Sequence, residues 1–497
     1  MKNKIYVDIH GNETIVAIVK GGRVVEIDVD NDATQNIVGN IYKGRVENVI
    51  PGIQAAFVSI GLDKNAYLFT GENFETAKEN IAERTYNPLL KNLRVGDVLM
   101  VQVAKEQFGT KGVRITTNIT LPGHLLVMTP YNYNVSVSQK ITDESERLRL
   151  TGIAERNKKA DAGYIIRTAA CGADESAIVR EMDELYKRYE GIEAVYPDAQ
   201  ESELVYEESD IISRMIRDMI TDETEEIAVN DPVAYARIKR NLCSSGNRPT
   251  ITLTTDKQIF DDIDLATQLE NSLKRKVELD NGAYLIIDRT EALTVIDVNT
   301  GRFIGGSNLE ETVYNTNLVA ADEIARQLRL RNIGGIIIID FIDMDEAAHG
   351  EAVVERLKEA LKDDRIKTAV LGMTPLGLVE LTRKKKRGAV ADVFTQTCPY
   401  CQGDGFVHSD ELTAIKLRGA LNRYININPQ AQVLLVKVNP SVFGKLFSTK
   451  TNDERAYDID RLRIYLEPDE LTHVQNFKII NLGKGIVDLP DMAKLWN

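Results

Sequence analysis

Proline, cysteine and histidine are scarce in this sequence, and each scarcity narrows the class of protein. Its 497 residues include 13 Pro, 4 Cys and 5 His. So little proline, without any low-complexity tract, excludes a disordered scaffold. Four cysteines in so long a chain exclude a disulfide framework and indicate a reducing compartment. The histidines share no ligand spacing, so none is assigned to catalysis.

Long apolar runs are absent as well. No stretch of about 18 apolar residues occurs, and the N-terminus lacks the apolar segment of a signal peptide. We therefore expect a cytoplasmic protein with no membrane span. The formal net charge of -14 argues against a protein that coats nucleic acid indiscriminately. Any RNA binding must therefore rely on local groups of Lys and Arg.

The pattern of strands and helices predicts a multidomain α/β protein. A chain of 497 residues is too long for a single hydrophobic core. Short strands punctuated by Gly and Pro predict a small OB-type barrel at 39–119, inserted after an N-terminal hairpin. Between residues 283 and 394, strands alternate with helices, which implies a parallel pair of strands in a covered sheet.

Two buried strands of that region end in aspartate, at Asp297 and Asp340, with a helix predicted between them over Asn308–Arg331. The carboxyl ends of such strands open onto the ligand crevice of a sheet. Two carboxylates, completed by waters and phosphate oxygens, suit Mg²⁺, which polarises phosphates and activates water. A single strand-end Asp more often caps a turn or pairs with Lys, but two beside one crossover helix favour a site. Asp343 and Asp345 follow in a loop, either supporting the site or solvated.

The same region resembles the catalytic block of the ribonuclease E/G family. The resembling stretches are Thr290–Asn299, Asn315–Arg331 and Gly334–Met344. The resemblance implies a DNase I-like domain in which Asp297 and Asp340 bind magnesium and Asn299 helps to orient the metal site. It implies an endoribonuclease that hydrolyses single-stranded RNA, in ribosomal RNA maturation and messenger RNA decay. Because the chain ends soon after its tail domain, we expect the ribonuclease G-like branch or a short E-type enzyme.

The resemblance also implies a domain order. The expected segments are an RNase H-like domain in two parts (1–38 and 210–280), an S1 barrel (39–119), a 5' sensor domain (120–209), the DNase I-like catalytic domain (281–396), a zinc-link (397–408) and a small C-terminal α/β dimerisation domain (409–497). In a rival interpretation, Asp8 on the first strand anchors a ribonuclease H metal site. The other carboxylates that such a site needs are not recognisable, so the first domain is expected to be structural.

The barrel contains aromatic and basic residues of the kind that stack bases and follow phosphates. They are Phe57, Tyr67, Phe69, Phe108, Lys43, Arg45, Lys105, Lys111 and Arg114. Taken alone, a barrel aromatic is more often part of the core. Residues 39–46 and 55–58 resemble the family's S1 domain, and the resemblance implies RNA contacts at Phe57, Tyr67 and Lys111. Tyr67 stands where family members often have Phe.

Arg167 and Thr168 end another strand, and their guanidinium and hydroxyl groups suit a terminal phosphate. By themselves they favour a surface salt bridge. The resemblance implies the family's 5' sensor, in which both residues and the backbone of Gly123 and Val127 hold a 5'-monophosphate. Where the family commonly has Ser-Arg-Arg-Ile, residues 138–141 are Ser-Gln-Lys-Ile, so we expect a weaker preference for 5'-monophosphorylated RNA.

Cys398 and Cys401 resemble one knuckle of a zinc ribbon. Structural zinc needs four ligands, so Cys171 and Cys243, a second chain or no zinc at all are the alternatives. Cys171 and Cys243 lack knuckle spacing and are expected to be buried. The family shares one Zn²⁺ between two protomers, so the resemblance implies a homodimer joined by the zinc-link. It leaves open whether dimers pair into a homotetramer.

One basic run and one rival function complete the sequence-based expectations. Arg383–Arg387 is either a solvated helix face or a guide for RNA near the metal. The rival function is a non-catalytic RNA-binding protein that uses the S1-type barrel alone. It does not explain the two strand-end aspartates.

Overall fold

The computed structural model describes most of the chain. The described residues are 2–30, 37–70, 93–105, 112–130, 132–208, 210–242, 249–254, 263–301, 309–385, 388–448, 462–483, 489–490 and 492–496. Phe108, Lys111, Cys243 and Asn308, which the sequence analysis named, lie outside these residues. Two units divide the chain, Met1–Phe394 and Thr395–Asn497. No helix of the described residues is long and apolar enough to cross a membrane.

Strands from two distant parts of the chain share the first sheet. They are β1 (Asn3–His10), β2 (Glu13–Lys20), β3 (Arg23–Asp30), β14 (Thr224–Val229) and β15 (Thr250–Leu253), in the order β15-β14-β1-β2-β3. Its helices are α3 (Ile211–Asp218), α4 (Pro232–Leu242) and α5 (Leu265–Leu273). Successive residues of β1 point to opposite faces, so Ile5 packs in the core with α3 and α4, and Tyr6 packs in the core with α5.

The second sheet closes into a barrel. It comprises β4 (Ile41–Ile50), β5 (Ala55–Ser59), β6 (Ala66–Phe69), β7 (Val98–Lys105) and β8 (Arg114–Thr116), with β13 (Leu204–Tyr206) added beside β4. The barrel order is β4-β5-β6-β8-β7, and β7 pairs back with β4. Gly44 allows tight closure, because a Cβ there would lie 2.6 Å from Val58 Cγ1. The predicted small closed barrel is confirmed.

The third sheet is small and lies between the barrel and α3 in the sequence. It contains β9 (Leu121–Pro122), β10 (Leu126–Pro130), β11 (Val135–Val137) and β12 (Ala162–Ile166), in the order β11-β12-β10-β9. Helices α1 (Glu144–Asn157) and α2 (Glu175–Val195) pack against it. Tyr164 lies in this core, and burial raises the pKa of its hydroxyl to about 12.

The fourth sheet carries the two strand-end aspartates. Its strands are β16 (Lys276–Glu278), β17 (Tyr284–Arg289), β18 (Leu293–Asn299), β19 (Gly335–Asp340), β20 (Thr368–Met373) and β21 (Leu378–Arg383), in the order β16-β17-β18-β19-β21-β20. Its helices are α6 (Leu309–Leu330), α7 (Ala347–Ala360) and the short α8 (Val390–Phe394). As predicted, β18 and β19 are parallel, and α6 connects them. Apolar residues of α6 and α7 pack on the sheet and form its core.

The second unit has its own sheet and core. Its elements are α9 (Asp410–Ile427), β22 (Val433–Val438), α10 (Pro440–Ser448), β23 (Arg463–Pro468), β24 (Phe477–Gly483) and β25 (Lys494–Leu495), with strand order β24-β22-β23-β25. Ser409 caps α9 by accepting a hydrogen bond from the backbone N–H of Leu412. Trp496, the single tryptophan of the chain, is buried in this core.

Candidate active site and RNA-binding surfaces

Strands β18 and β19 bring Asp297 and Asp340 side by side. The two residues are direct partners in the parallel register, so their side chains leave the same face of the sheet. Asn299, two positions farther along β18, shares that face and donates from Nδ2 to Oδ2 of Asp297 over 2.7 Å. The structure therefore brings together all three residues predicted to form the catalytic site.

The acidic character of this site is largely uncompensated. Burial, together with the charges of Asp297 and Asp343, raises the pKa of Asp340. Within the described ranges, no three His, Cys, Asp or Glu side chains form a group that could hold a metal ion, so a cage built from such ligands is excluded there. Two carboxylates beside an amide present oxygen donors to a hard cation. This donor set fits Mg²⁺, which takes few protein ligands and keeps several waters.

A row of four side chains crosses the outer face of the barrel. Phe57 pairs with Tyr67, Tyr67 with Arg114, and Arg114 with Lys105, across β5, β6, β8 and β7. Each of the four is partly exposed, whereas the residues that flank them along β5, β6 and β8 are buried. The rings of Phe57 and Tyr67 meet edge to face, with centroids 6.2 Å apart. Aromatic rings beside cations are the usual means of holding a single-stranded nucleic acid.

Positive charge accumulates at the basic end of this row. Burial, then the charges of Arg114 and Lys384, lowers the pKa of Lys105. Lys384 belongs to the basic run, whose described part, residues 383–385, is not helical; residues 386–387 lie outside the described residues. The first residue of the run, Arg383, ends β21 and pairs with buried Asp364. Grouped cations of this kind favour a phosphate chain.

Two cations of the barrel serve a different purpose. Lys43 donates from Nζ to three backbone carbonyls within residues 196–199, at 2.8 to 3.1 Å. Arg45 forms an ion pair with Glu201 at 2.7 Å. These contacts hold the barrel to the segment after α2, so both side chains already have partners within the chain.

Arg167 and Thr168 lie against the turn at Gly123. Arg167 donates from Nη1 to the carbonyl of Gly123 over 2.6 Å and from Nη2 to Oδ1 of Asp218 over 2.7 Å. The hydroxyls of Thr168 and Ser138 are 3.2 Å apart. A Cβ at Gly123 would overlap the carboxylate of Glu181, so any side chain there would require that carboxylate to shift. The salt bridge expected for Arg167 from its residue type alone is therefore present.

These groups open onto a cavity of about 1230 Å³. Its charged lining comprises Lys140, Arg167, Arg214, Arg217, Arg289, Arg329 and Arg365, against Glu26, Asp28, Asp218 and Asp392. Seven basic and four acidic groups make the cavity positive within an acidic chain, which fits an anionic ligand. Neither Gly123 nor Val127 is in the lining; Val127 pairs with Pro122 on one side and with Ile165 on the other.

In the second unit, Cys398 and Cys401 lie in a turn that precedes α9. The backbone N–H groups of Cys401 and Tyr400, and the Cys401 thiol, lower the pKa of Cys398. Gly405 N–H contacts Sγ of Cys401 at 3.4 Å. Amide donors stabilise thiolates, which are the form that binds zinc, so the turn fits half of a four-ligand site. Cys171 follows the turn at Thr168 and is exposed, so the expectation that it is buried was wrong.

Asp8, the residue of the rival metal site, has structural partners. Asn230 donates to its Oδ1, and His10 Nε2 lies 3.1 Å from the same oxygen. Burial raises the pKa of Asp8. No metal-binding group of three includes it among the residues described. The interpretation of the first domain as structural agrees with these contacts.

Comparison with known proteins gives the family. The model of the ribonuclease E/G family matches residues 120–386. Ribonuclease G of Escherichia coli strain K12 is 38% identical over 490 residues, which cover 97% of this chain and 100% of that protein. The chain belongs to the ribonuclease E/G family. Ribonuclease G of Haemophilus influenzae is 38% identical over 90% of this chain and 93% of its own length. Ribonuclease E of a Nostoc species is 39% identical over 79% of this chain and 57% of its own length.

Within this ribonuclease E/G family chain, the sequence analysis missed two partners of predicted site residues. Asp218 holds Arg167 but stands at the end of α3, far away in the sequence, where nothing marks it. Burial alone would raise the pKa of Asp218, but the charges of Arg217 and Arg167 outweigh that effect and lower it. Lys384, which follows β21 in the fourth sheet, lies close enough to Lys105 for its charge to lower the pKa of that residue. The basic run Arg383–Arg387 marks Lys384 in the sequence, but linear spacing does not place it beside Lys105.

Proposed function

We propose that this chain is an endoribonuclease that hydrolyses phosphodiester bonds in single-stranded RNA, with Mg²⁺ held by Asp297 and Asp340. The observation that carries the proposal is the direct register pairing of the two carboxylates on one face of the sheet. The relatives named above are ribonucleases. Bound there, Mg²⁺ would polarise the scissile phosphate and lower the pKa of a coordinated water. Asn299 restrains the Asp297 carboxylate through its hydrogen bond.

The chain's own residues would bind and orient the RNA. Phe57 and Tyr67 stack on bases, and Arg114 and Lys105 neutralise the adjacent phosphates. We further propose that Arg167 and Thr168 bind a 5'-monophosphate. Lys140, on the rim of the same cavity, offers a point charge rather than a planar fork, which weakens the preference without removing it.

The proposal also includes assembly and cellular role. Cys398 and Cys401 of each protomer would supply half of the ligands of one structural Zn²⁺, so the working form is a homodimer. The processes are ribosomal RNA maturation and messenger RNA decay in the cytoplasm. Preorganised amide donors at both thiols support the zinc part of the proposal.

The deciding experiment compares Asp297→Asn and Asp340→Asn with the wild type on a single-stranded RNA. Metal-assisted catalysis supplies several kcal/mol, so each variant should cleave about 100-fold more slowly or worse. Retained RNA affinity, measured by gel shift in EDTA, would show that the site acts in chemistry. Asp322→Asn is the matched control, since Asp322 lies on α6 and pairs with Arg356.

Two outcomes would contradict the proposal. Full cleavage by either site variant would mean that the carboxylates hold no catalytic metal. Wild-type protein that binds RNA but never cuts it, with or without Mg²⁺, would favour the non-catalytic RNA-binding alternative.

A further inference from the structure

We propose that one polar face of α6 positions the metal-binding Asp340 by holding the loop that follows it, residues 341–346. The face consists of Glu310, Tyr314 and Asn317. Their spacing of four and three residues places them on one side of the helix. This inference rests on the proposed function of the site, and it concerns positioning residues that do not themselves touch RNA or metal.

Asn317 holds the beginning of the loop. Its Nδ2 donates to the carbonyl of Ile342 over 2.8 Å, and the N–H of Ile342 donates to its Oδ1 over 3.1 Å. Asn317 is fully buried, with 0% of its surface exposed. Two bonds from one amide to one residue fix its orientation as well as its position. Ile342 is two residues beyond Asp340, so this bracket restrains the end of β19.

Glu310 holds the other end of the loop. Its carboxylate accepts hydrogen bonds from the N–H groups of Asp345 and Glu346, at 3.0 and 3.3 Å. The same carboxylate contacts Nδ1 of His349 at 2.7 Å. The bond from Asp345 and that from His349 lower the pKa of Glu310, so the group stays ionised. Glu310 thereby joins the loop end to the first turn of α7.

Tyr314 lies between these two attachments. Its ring stacks on the ring of His349, with centroids 4.3 Å apart and planes 18° from parallel. The stack fixes α7 against α6 where the loop enters it. Phe341, at the start of the loop, is buried in the core of the sheet. The loop is therefore restrained at its start, its end and the helix beyond.

The consequence concerns the charges around the metal site. Asp343 lies in the loop between the two attachments. A loop free to move would carry Asp343 away from the metal site and leave the end of β19 at Asp340 without support. The polar face of α6 prevents this and keeps the oxygen donors together before any cation arrives. Outer partners of this kind typically change metal affinity by about 10- to 100-fold.

The experiment measures Mn²⁺ binding to the full-length protein by electron paramagnetic resonance, with no RNA present. Asn317→Ala should weaken Mn²⁺ affinity about tenfold and speed hydrogen exchange across residues 341–346. Asn315→Ala is the matched control, because Asn315 is an exposed Asn on the same helix and should change neither quantity. With saturating metal, kcat should recover while KM for RNA is unchanged throughout.

A second pair of variants keeps the test decisive if Asn317→Ala does not fold. Glu310→Gln preserves shape but replaces one of the two carboxylate oxygens that accept from the N–H groups of Asp345 and Glu346. Exposed Glu311→Gln is its control. We expect a smaller loss of Mn²⁺ affinity, about threefold or more, for Glu310→Gln only.

Mn²⁺ affinity within twofold of wild type in both test variants, whatever the loop exchange, would overturn the inference. If Asp297→Asn and Asp340→Asn also leave Mn²⁺ binding intact, the proposed metal site itself fails. If only those two variants abolish it, the site stands and the role of α6 is wrong.

Discussion

A buried ion pair on β21, the strand next to β19, allows a quantitative prediction. Arg383 donates from Nε and Nη2 to the two carboxylate oxygens of Asp364, at 2.7 and 3.2 Å. Both side chains are only 3% exposed. Asp364→Asn keeps the volume but leaves a guanidinium charge in the interior without a counterion. Breaking one partner of such a pair costs about 3–5 kcal/mol.

The assay is urea unfolding followed by far-UV circular dichroism. The free energy of unfolding falls with urea concentration by about 1–3 kcal/mol/M, and a large unit lies near the upper end. The urea midpoint of Asp364→Asn should therefore fall by about 1–2 M. Asp363→Asn is the matched control, because that carboxylate is exposed and pairs with Lys20 at 3.1 Å. Exposed pairs contribute about 0–1 kcal/mol, so its midpoint should hardly move. Trp496 fluorescence follows the other unit and should change in neither variant.

The pH dependence gives an independent check. Burial alone would raise the pKa of Asp364, but the hydrogen bonds and charge of Arg383 outweigh burial and lower it. A carboxylate with a lowered pKa stabilises the fold above its ordinary value of about 3.9 and ceases to do so as the pH falls through the lowered pKa. The difference between wild type and Asp364→Asn should therefore shrink below about pH 4. A difference under about 1 kcal/mol at neutral pH would refute the assignment of a strong pair.

Three further predictions concern RNA and zinc. Phe57→Ala or Tyr67→Ala should weaken single-stranded RNA binding by about 1–3 kcal/mol each in fluorescence anisotropy. Leu68→Val, in the buried core of the barrel, serves as the packing control. Unchanged affinity in the two aromatic variants would remove the stacking role. Arg167→Ala should reduce the ratio of cleavage rates between 5'-monophosphate and 5'-hydroxyl RNA by about tenfold. The rate on 5'-hydroxyl RNA should not change. An unchanged ratio would place the sensor elsewhere. Cys398→Ser should abolish zinc in elemental analysis and convert dimer to monomer in light scattering, and an intact zinc-loaded dimer would contradict the zinc-link.

The pairing of Asp297 with Asp340 was predictable because it depends on local sequence pattern. Asp297 and Asp340 each close a run of β-branched residues, and parallel neighbours place such ends together. The long helix between them follows from its apolar spacing, and its end at Leu330 agrees with the predicted end at Arg331 within one residue. The barrel strands were delimited in the same way by Gly and Pro.

What the sequence did not reveal depends on pairing between distant residues. Strand β8 joins β6 before β7, so the neighbours of Arg114 are Tyr67 and Lys105, which no linear spacing displays. Lys43 resembles an RNA-binding cation but binds backbone carbonyls instead. The sequence shows the type of a charged residue but not its partner. Only the fold distinguishes a cation that is paired within the chain from one that can bind RNA.

The first sheet can be completed only late in the synthesis of the chain. β1 leaves the ribosome well before its parallel neighbour β14, which is synthesised more than two hundred residues later. At about 5–20 residues per second, the wait is roughly 10–45 s. During that time the edge of β1 has no permanent partner, while the barrel is already complete in sequence. A nascent chain that stalls between the two strands would therefore expose an open sheet edge, the kind of surface that recruits chaperones or aggregates.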